Sequence, residues 1–174
     1  PEAIEQAVDL LTQAKRPGIF AGWGAVDAAD YIARLAESLV APVATSLQGL
    51  SAFSARHPLH AGMGFGAAAV PAARKAFAGC DCLLAAGVRF GELATGSYST
   101  PVPEALIHVD VNPDVFHKNY PAAVTLQGDA GDVLAALADA LQRRGWHSPR
   151  DAGALAREIR REKDAYLGSW ARPP

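Results

Sequence analysis

Cysteine is nearly absent from this sequence: Cys80 and Cys82 are its only two, one residue apart. Two thiols so placed build neither a zinc quartet nor a disulfide framework, and on a strand they would share a face, so packed, reduced thiols of a cytoplasmic protein are expected. Charge of either sign is also lacking in excess. A formal net charge of -2 gives no support for a nucleic-acid or membrane-surface partner. No apolar run approaches the roughly 20 residues of a membrane-spanning helix, and no charged start followed by an apolar core marks a signal peptide. Recognisable catalytic machinery is missing as well. There is no serine in a nucleophile elbow, no G-K-[ST] phosphate loop and no cysteine beside an activating base. His57, His60, His108, His117 and His147 do not show metal spacing on one helix, and His57 and His60, three apart in a proline-containing loop, give only a faint hint of a metal pair.

What is present is apolar and periodic. Half of the 174 residues are hydrophobic, enough for one domain with its own core. From Glu2 to Ala14 the residues Ala3, Ile4, Ala7, Val8, Leu10, Leu11 and Ala14 recur at helical spacing, with Pro1 suited to a first turn. A buried strand over Gly18–Ala21 leads into a turn with Gly22 and Gly24, and helical spacing resumes from Ala29 to Leu39, with Asp27 expected as its N-cap. The order repeats: "APVATS" reads as a strand and "LQGLSAFSARHPLHAGMGFG" as an irregular loop. A helix is expected from about Ala67 to Ala78 with Pro71 near its start. The runs "CDCLLAAG", "ALIHVDV" and "AVTLQ" follow, then a helix from about Asp129 to Arg144. Five continuously apolar runs alternating with helices predict an α/β, three-layer Rossmann-like domain: a parallel sheet covered by helices on both faces. After Pro149 a charged amphipathic helix follows, with Leu155, Ile159, Tyr166 and Trp170 available to dock. The expected division is a domain over residues 1–148 and a linker helix over 149–174. A start at Pro1 and a close on Arg-Pro-Pro are the ends expected of a piece of something longer.

Open α/β sheets bind ligands at the carboxyl ends of their strands, which directs attention to the polar residues there. Gly22 and Gly24 sit where strand becomes helix, the context of a phosphate cradle or of a tight turn alone. Arg89 ends the apolar run "LLAAGVRF", where a guanidinium can meet a phosphate or simply be solvated, with Glu92 near enough in sequence to neutralise it. Asp110 closes "IHVD"; a carboxylate there can accept from ribose hydroxyls, and Asp before Asn-Pro is equally a turn former. Asp129 suits both an N-cap and a ligand contact.

Taken together, "AKRPGIFAGWGA", "LVAPVATSLQGLSAFSARHPLHAGMGFG", "CDCLLAAGVRFGELATG" and "ALIHVDVNPDVFHKNYPAAVTLQGDAGDVLAAL" resemble the central domain of thiamine-diphosphate-dependent enzymes of the acetolactate synthase group, over about residues 1–145. The resemblance implies a six-stranded parallel sheet that holds FAD or ADP in some members and no nucleotide in others. It also implies two flanking domains in the parent chain. One would bind the aminopyrimidine of thiamine diphosphate and the other its diphosphate and Mg2+, in a homo-oligomeric 2-keto-acid lyase or transferase. By the same resemblance Gly22 and Gly24 would face a nucleotide diphosphate, and Gln48 and Gly49 would lie along the nucleotide. Arg89 would contact it, and Asp110 and Asp129 would lie near the adenosine. The chain alone would not catalyse the parent's reaction.

Two features depart from acetolactate synthases. "GVRF" continues as "GELATGSYS" rather than with two aspartates and an arginine, and "LQGLSAF" stands where those enzymes favour "LMGKGAF". A member with another substrate therefore stands beside a true acetolactate synthase. A nucleotide-free structural and assembly module stands beside a nucleotide holder. A sirtuin would need four zinc cysteines, and a dehydrogenase would need a full glycine fingerprint and a catalytic domain of its own.

Overall fold

The computed structural model describes residues 2–171; Pro1 and the closing Arg-Pro-Pro lie outside the described residues. Helix α1 (Glu2–Gln13) precedes strand β1 (Pro17–Ala21), and a 3₁₀ segment, Trp23–Ala28, runs directly into α2 (Ala29–Leu39). Next come β2 (Val43–Thr45), β3 (His60–Met63), α3 (Pro71–Ala76), β4 (Cys82–Ala86), β5 (Ala105–Asp110) and β6 (Val124–Gln127). Helices α4 (Ala130–Arg143) and α5 (Ala152–Trp170) close the chain.

The six strands form one sheet in the order β3-β2-β1-β4-β5-β6, and every pairing is parallel. One row of side chains, Val43, Ile19, Leu84, Ile107 and Val124, runs across five strands in register. All five are buried, as a sheet covered on both faces requires. Helices α1 and α2 each pack on α4, and α3 packs with α5 beside β3, giving the expected α/β arrangement of helix layers around a parallel sheet. Aromatic residues are few but concentrated. Phe77 stacks on Phe65, Phe65 meets Phe20 edge-on, and Phe20, Phe90, His108 and Phe116 continue the line.

Four local expectations change. Helix α3, expected from about Ala67 to Ala78, runs only over Pro71–Ala76 and begins at the proline, which cannot continue a preceding helical ladder. The loop after β2, expected to be irregular, contains β3, an edge strand of four residues whose register with β2 slips between Val43 and Ala44. Asp27 does not cap α2: it lies inside the 3₁₀ segment, and the cap position is Ala28, with no side-chain hydrogen bond. On α5, Leu155 and Ile159 are buried while Trp170 is 74% exposed, so only the first half of that helix docks. Other expectations hold. Pro71 occupies the first turn of α3, and the Asp129 carboxylate accepts from the Gly131 and Asp132 amides to cap α4.

Candidate functional site

The strand order reverses between β1 and β4, where successive crossovers leave in opposite directions and a crevice opens at the carboxyl ends. Its centre is built from glycine. A Cβ on Gly22 would lie 2.2 Å from the Gly87 carbonyl oxygen, one on Gly24 would lie 2.9 Å from the Gly87 Cα, and one on Gly49 would lie 2.6 Å from the Gly22 carbonyl carbon. Gly87 itself has φ +62. Backbones from the ends of β1, β2 and β4 thus touch directly, which only glycine allows. The same contacts occupy donors: the Gly22 amide donates to the Ala86 carbonyl at 2.9 Å and the Gly24 amide to the Gly87 carbonyl at 3.3 Å. The Gly49 amide donates to the carbonyl and hydroxyl of Ser46. These three N–H groups are engaged within the fold.

Arg89 lies beside this knot on a segment anchored from both sides. His108 on β5 donates through Nε2 to the Val88 carbonyl at 2.7 Å, and the Asn119 amide donates to the Phe90 carbonyl at 2.9 Å. Burial holds His108 below the ordinary imidazole range, which keeps the ring neutral. Phe90 takes a left-handed φ of 49 while its ring is buried against Phe20, His108 and Tyr120. That conformation costs about 1–2 kcal/mol, and the anchored ring offsets it. The result is an exposed Arg89 between two buried neighbours. Among the described residues its guanidinium has no carboxylate partner, Glu92 included. The amides of Val88 and Arg89 likewise find no acceptor there.

Two adjoining cavities form the crevice. One, of about 310 Å3, is lined by Trp23, Gln48, Gly87, Arg89 and Glu92 among others. The second, of about 260 Å3, is lined by Thr45, Met63, Gly66 and Thr100 among others, and the two share Ser46, Leu93 and Ala94. The outer wall is the segment after Arg89. Thr95 organises it, donating through its hydroxyl to the Gly91 carbonyl at 2.9 Å and accepting from the Tyr98 amide at 3.0 Å. Gly96, Ser97 and Tyr98 are consecutive left-handed residues, with φ of 55, 57 and 61. The hydroxyl of Thr45 is buried with no hydrogen-bond partner among the described residues.

Of the residues expected at a site, Gln48 and Arg89 line the crevice, and Gly22, Gly24 and Gly49 form the backbone knot behind it. Asp110 is the last residue of β5, one strand beyond β4, and accepts from the Asn112 amide at 2.9 Å. Asp129 follows β6, one strand further, and lines a separate cavity between β6, α1 and α4. At about 4.8 Å per strand, both lie along the carboxyl edge of the sheet rather than in the crevice. Sequence reasoning did not single out Trp23, Ser46, Leu93, Thr95, His108 or Asn119 as members or supports of the site. The "GW" and "VRF" contexts held the only signal for them. His57 and His60 take separate partners, Glu37 at 3.1 Å and Lys163 at 3.1 Å, and no metal-binding cluster exists among the described residues.

A doubly covered parallel sheet with a crevice at its switch point defines the class of Rossmann-like α/β domains. Residues 4–137 match the model of the thiamine pyrophosphate enzyme central domain, and the chain belongs to that family. It is 40% identical over 144 residues to a probable acetolactate synthase large subunit of Methanocaldococcus jannaschii, covering 81% of this chain and 24% of the relative. It is 38% identical over 168 residues to the acetolactate synthase large subunit of Parasynechococcus marenigrum, covering 94% and 27%. A probable 2-ketoarginine decarboxylase of Pseudomonas aeruginosa is 35% identical over 156 residues, covering 90% and 27%. The chain thus spans about a quarter of the length of these curated relatives. It is an acetolactate synthase-like central domain.

Proposed function

We propose that this domain holds FAD or ADP in the crevice at the β1 and β4 carboxyl ends, as part of a longer thiamine-diphosphate-dependent 2-keto-acid lyase or transferase. The observation that carries the proposal is Arg89: a guanidinium held at the lip by two anchored neighbours, with no carboxylate to neutralise it. The residues present fit a nucleotide. Arg89 and the unspent amides of Val88 and Arg89 would take the diphosphate, since the amides of Gly22 and Gly24 are already engaged. Gln48 would hydrogen-bond along the nucleotide, and Trp23 and Leu93 would cover a planar ring. Asp110 and Asp129 each use one carboxylate oxygen on a local turn or cap. Their second oxygens would face an adenosine laid across β5 towards β6.

In the longer protein, flanking pyrimidine-binding and diphosphate-binding domains would hold thiamine diphosphate and Mg2+. That cofactor, when bound, supplies the carbanion chemistry; this chain contributes position and packing. The parent would assemble as a homo-oligomer in the cytoplasm. Among the described residues no helix is long and apolar enough to cross a membrane. The crevice proposal is tested by denaturing the purified chain, scanning the released supernatant for flavin absorbance, and titrating the chain calorimetrically with FAD and with ADP. Saturation by either supports it; heats of dilution alone for both refute it.

In a second reading the crevice is empty and its rim packs against neighbouring domains. Trp23, Leu47, Leu50, Met63, Leu93 and Tyr98 favour it: all are exposed apolar side chains at the carboxyl side of the sheet, more than a solvated strand end requires. The same titrations separate the two: saturation supports the nucleotide crevice, and heats of dilution alone support the empty, packed rim.

A further inference from the structure

On another side of the molecule a groove of about 830 Å3 runs between the loop before β3 and the surface of α5. Its accessible apolar part comes from Pro58 and Leu167, with Ile159 buried at its floor, and its rim carries Arg56, Arg157, Arg160, Arg161 and Lys163, with Asp164 the one carboxylate among the lining residues. In a chain of net charge -2 this is a local surplus of cations. Two of them are uncommitted: among the described residues, neither the Arg56 guanidinium nor the Lys163 ammonium has a carboxylate within 4.0 Å. Arg160 reaches Asp164 at 3.2 Å through Nε, and Arg157 reaches Asp151 only at 3.9 Å, so guanidinium N–H groups remain on both.

Lys163 shows how the wall is made. Its Nζ donates to Nδ1 of His60 at 3.1 Å, and His60 is 8% exposed beneath the ring of Phe53. Burial, then the adjacent Lys163 charge, lowers the His60 pKa to about 4, so the imidazole is a neutral acceptor that does not cancel the ammonium. By contrast, Lys75 on α3 is committed to Glu158 and Glu162. Three N–H donors on one ammonium, one of them spent on His60, leave two for a ligand.

We propose that this groove is a second ligand site, separate from the crevice, and that it takes an organic phosphate: the head against Arg56 and Lys163, the apolar body along Pro58 and Leu167. A phosphate offers several acceptor oxygens to converging cations, which a single carboxylate does not match. Burial also lowers the proton affinity of Lys163, and an anionic head offsets that cost.

The test titrates phenyl phosphate into the isotope-labelled full chain at low ionic strength and follows amide shifts. The expected result is saturable shifts centred on residues 55–58 and 156–167. Arg56→Gln and Lys163→Gln should each weaken binding about five- to tenfold, while Arg89→Gln leaves it within about twofold. Lys163→Gln can still donate to His60, and Lys163→Arg, which keeps the charge, should retain affinity within about threefold; together they separate loss of charge from damage to the wall. No saturation, shifts centred on residues 87–94 that vanish in Arg89→Gln, or undiminished binding in both groove variants would overturn the site.

Discussion

Gly22 and Gly87 are in backbone contact: a Cβ added to Gly22 would sit 2.2 Å from the Gly87 carbonyl oxygen, and one added to Gly87 would sit 2.5 Å from the Gly24 backbone. The turn after β1 and the turn after β4 are therefore one packed unit, and that unit places Arg89.

Three glycines separate the causes. Gly22 has extended backbone angles and lacks only space. Gly64 has φ +63 with nothing within 4 Å, and Gly87 has φ +62 with no space. Gly64→Ala should cost about 1–2 kcal/mol from backbone strain alone. Gly22→Ala should cost about 2 kcal/mol from overpacking, and Gly87→Ala should exceed both, at about 3 kcal/mol or more. Urea unfolding of the three variants checks the order.

His60 gives a pH dependence. Its folded pKa of about 4 lies below the ordinary 6.5, so between those values the unfolded chain binds a proton that the folded chain refuses. Stability is therefore full above pH 6.5 and falls as the pH drops towards 4. The groups facing His60 are Lys163, His57 and the ring of Phe53, and none supplies a carboxylate to reverse the sign. The urea midpoint should drop between pH 7 and pH 5.5, and His60→Gln should reduce that drop. His108, also held low by burial, leaves a residual slope.

The two cysteines should be inert while the chain is folded. Burial pushes both thiols up to about 12, and the Cys80 thiol donates to the Cys82 carbonyl at 3.3 Å. Ellman's reagent at pH 8 should release almost no thiolate chromophore from the native chain and two equivalents after denaturation. Rapid native reaction at either cysteine contradicts this.

The sheet was legible because its strands announce themselves: "CLLAA" is apolar without interruption, and "ALIHVD" is broken only by His108 before its closing Asp110, as suits strands covered on both faces. Strand β3 was not, because "HAGM" holds a glycine and a histidine and becomes a strand only by pairing with β2 at the sheet edge. Arg89 stood out from its place at the end of a strand, whereas Gln48 was expected at the site only through the family resemblance; both line the crevice. The glycines stood out for the right reason of place, but their spacing reads the same whether a glycine faces a phosphate or another backbone. The wall was hidden altogether: Ser97 and Tyr98 are not residue types that advertise a left-handed conformation, and the anchors His108 and Asn119 act from 19 and 30 residues beyond Arg89 in the sequence.

The most direct test of the central claim compares FAD and ADP titrations of the wild-type chain with those of Arg89→Ala under identical conditions. The crevice predicts saturable binding of at least one nucleotide by the wild type, weakened by about 1.5–3 kcal/mol in the variant through loss of a charge-assisted hydrogen bond. Binding of equal strength by both chains, or by neither, would contradict it.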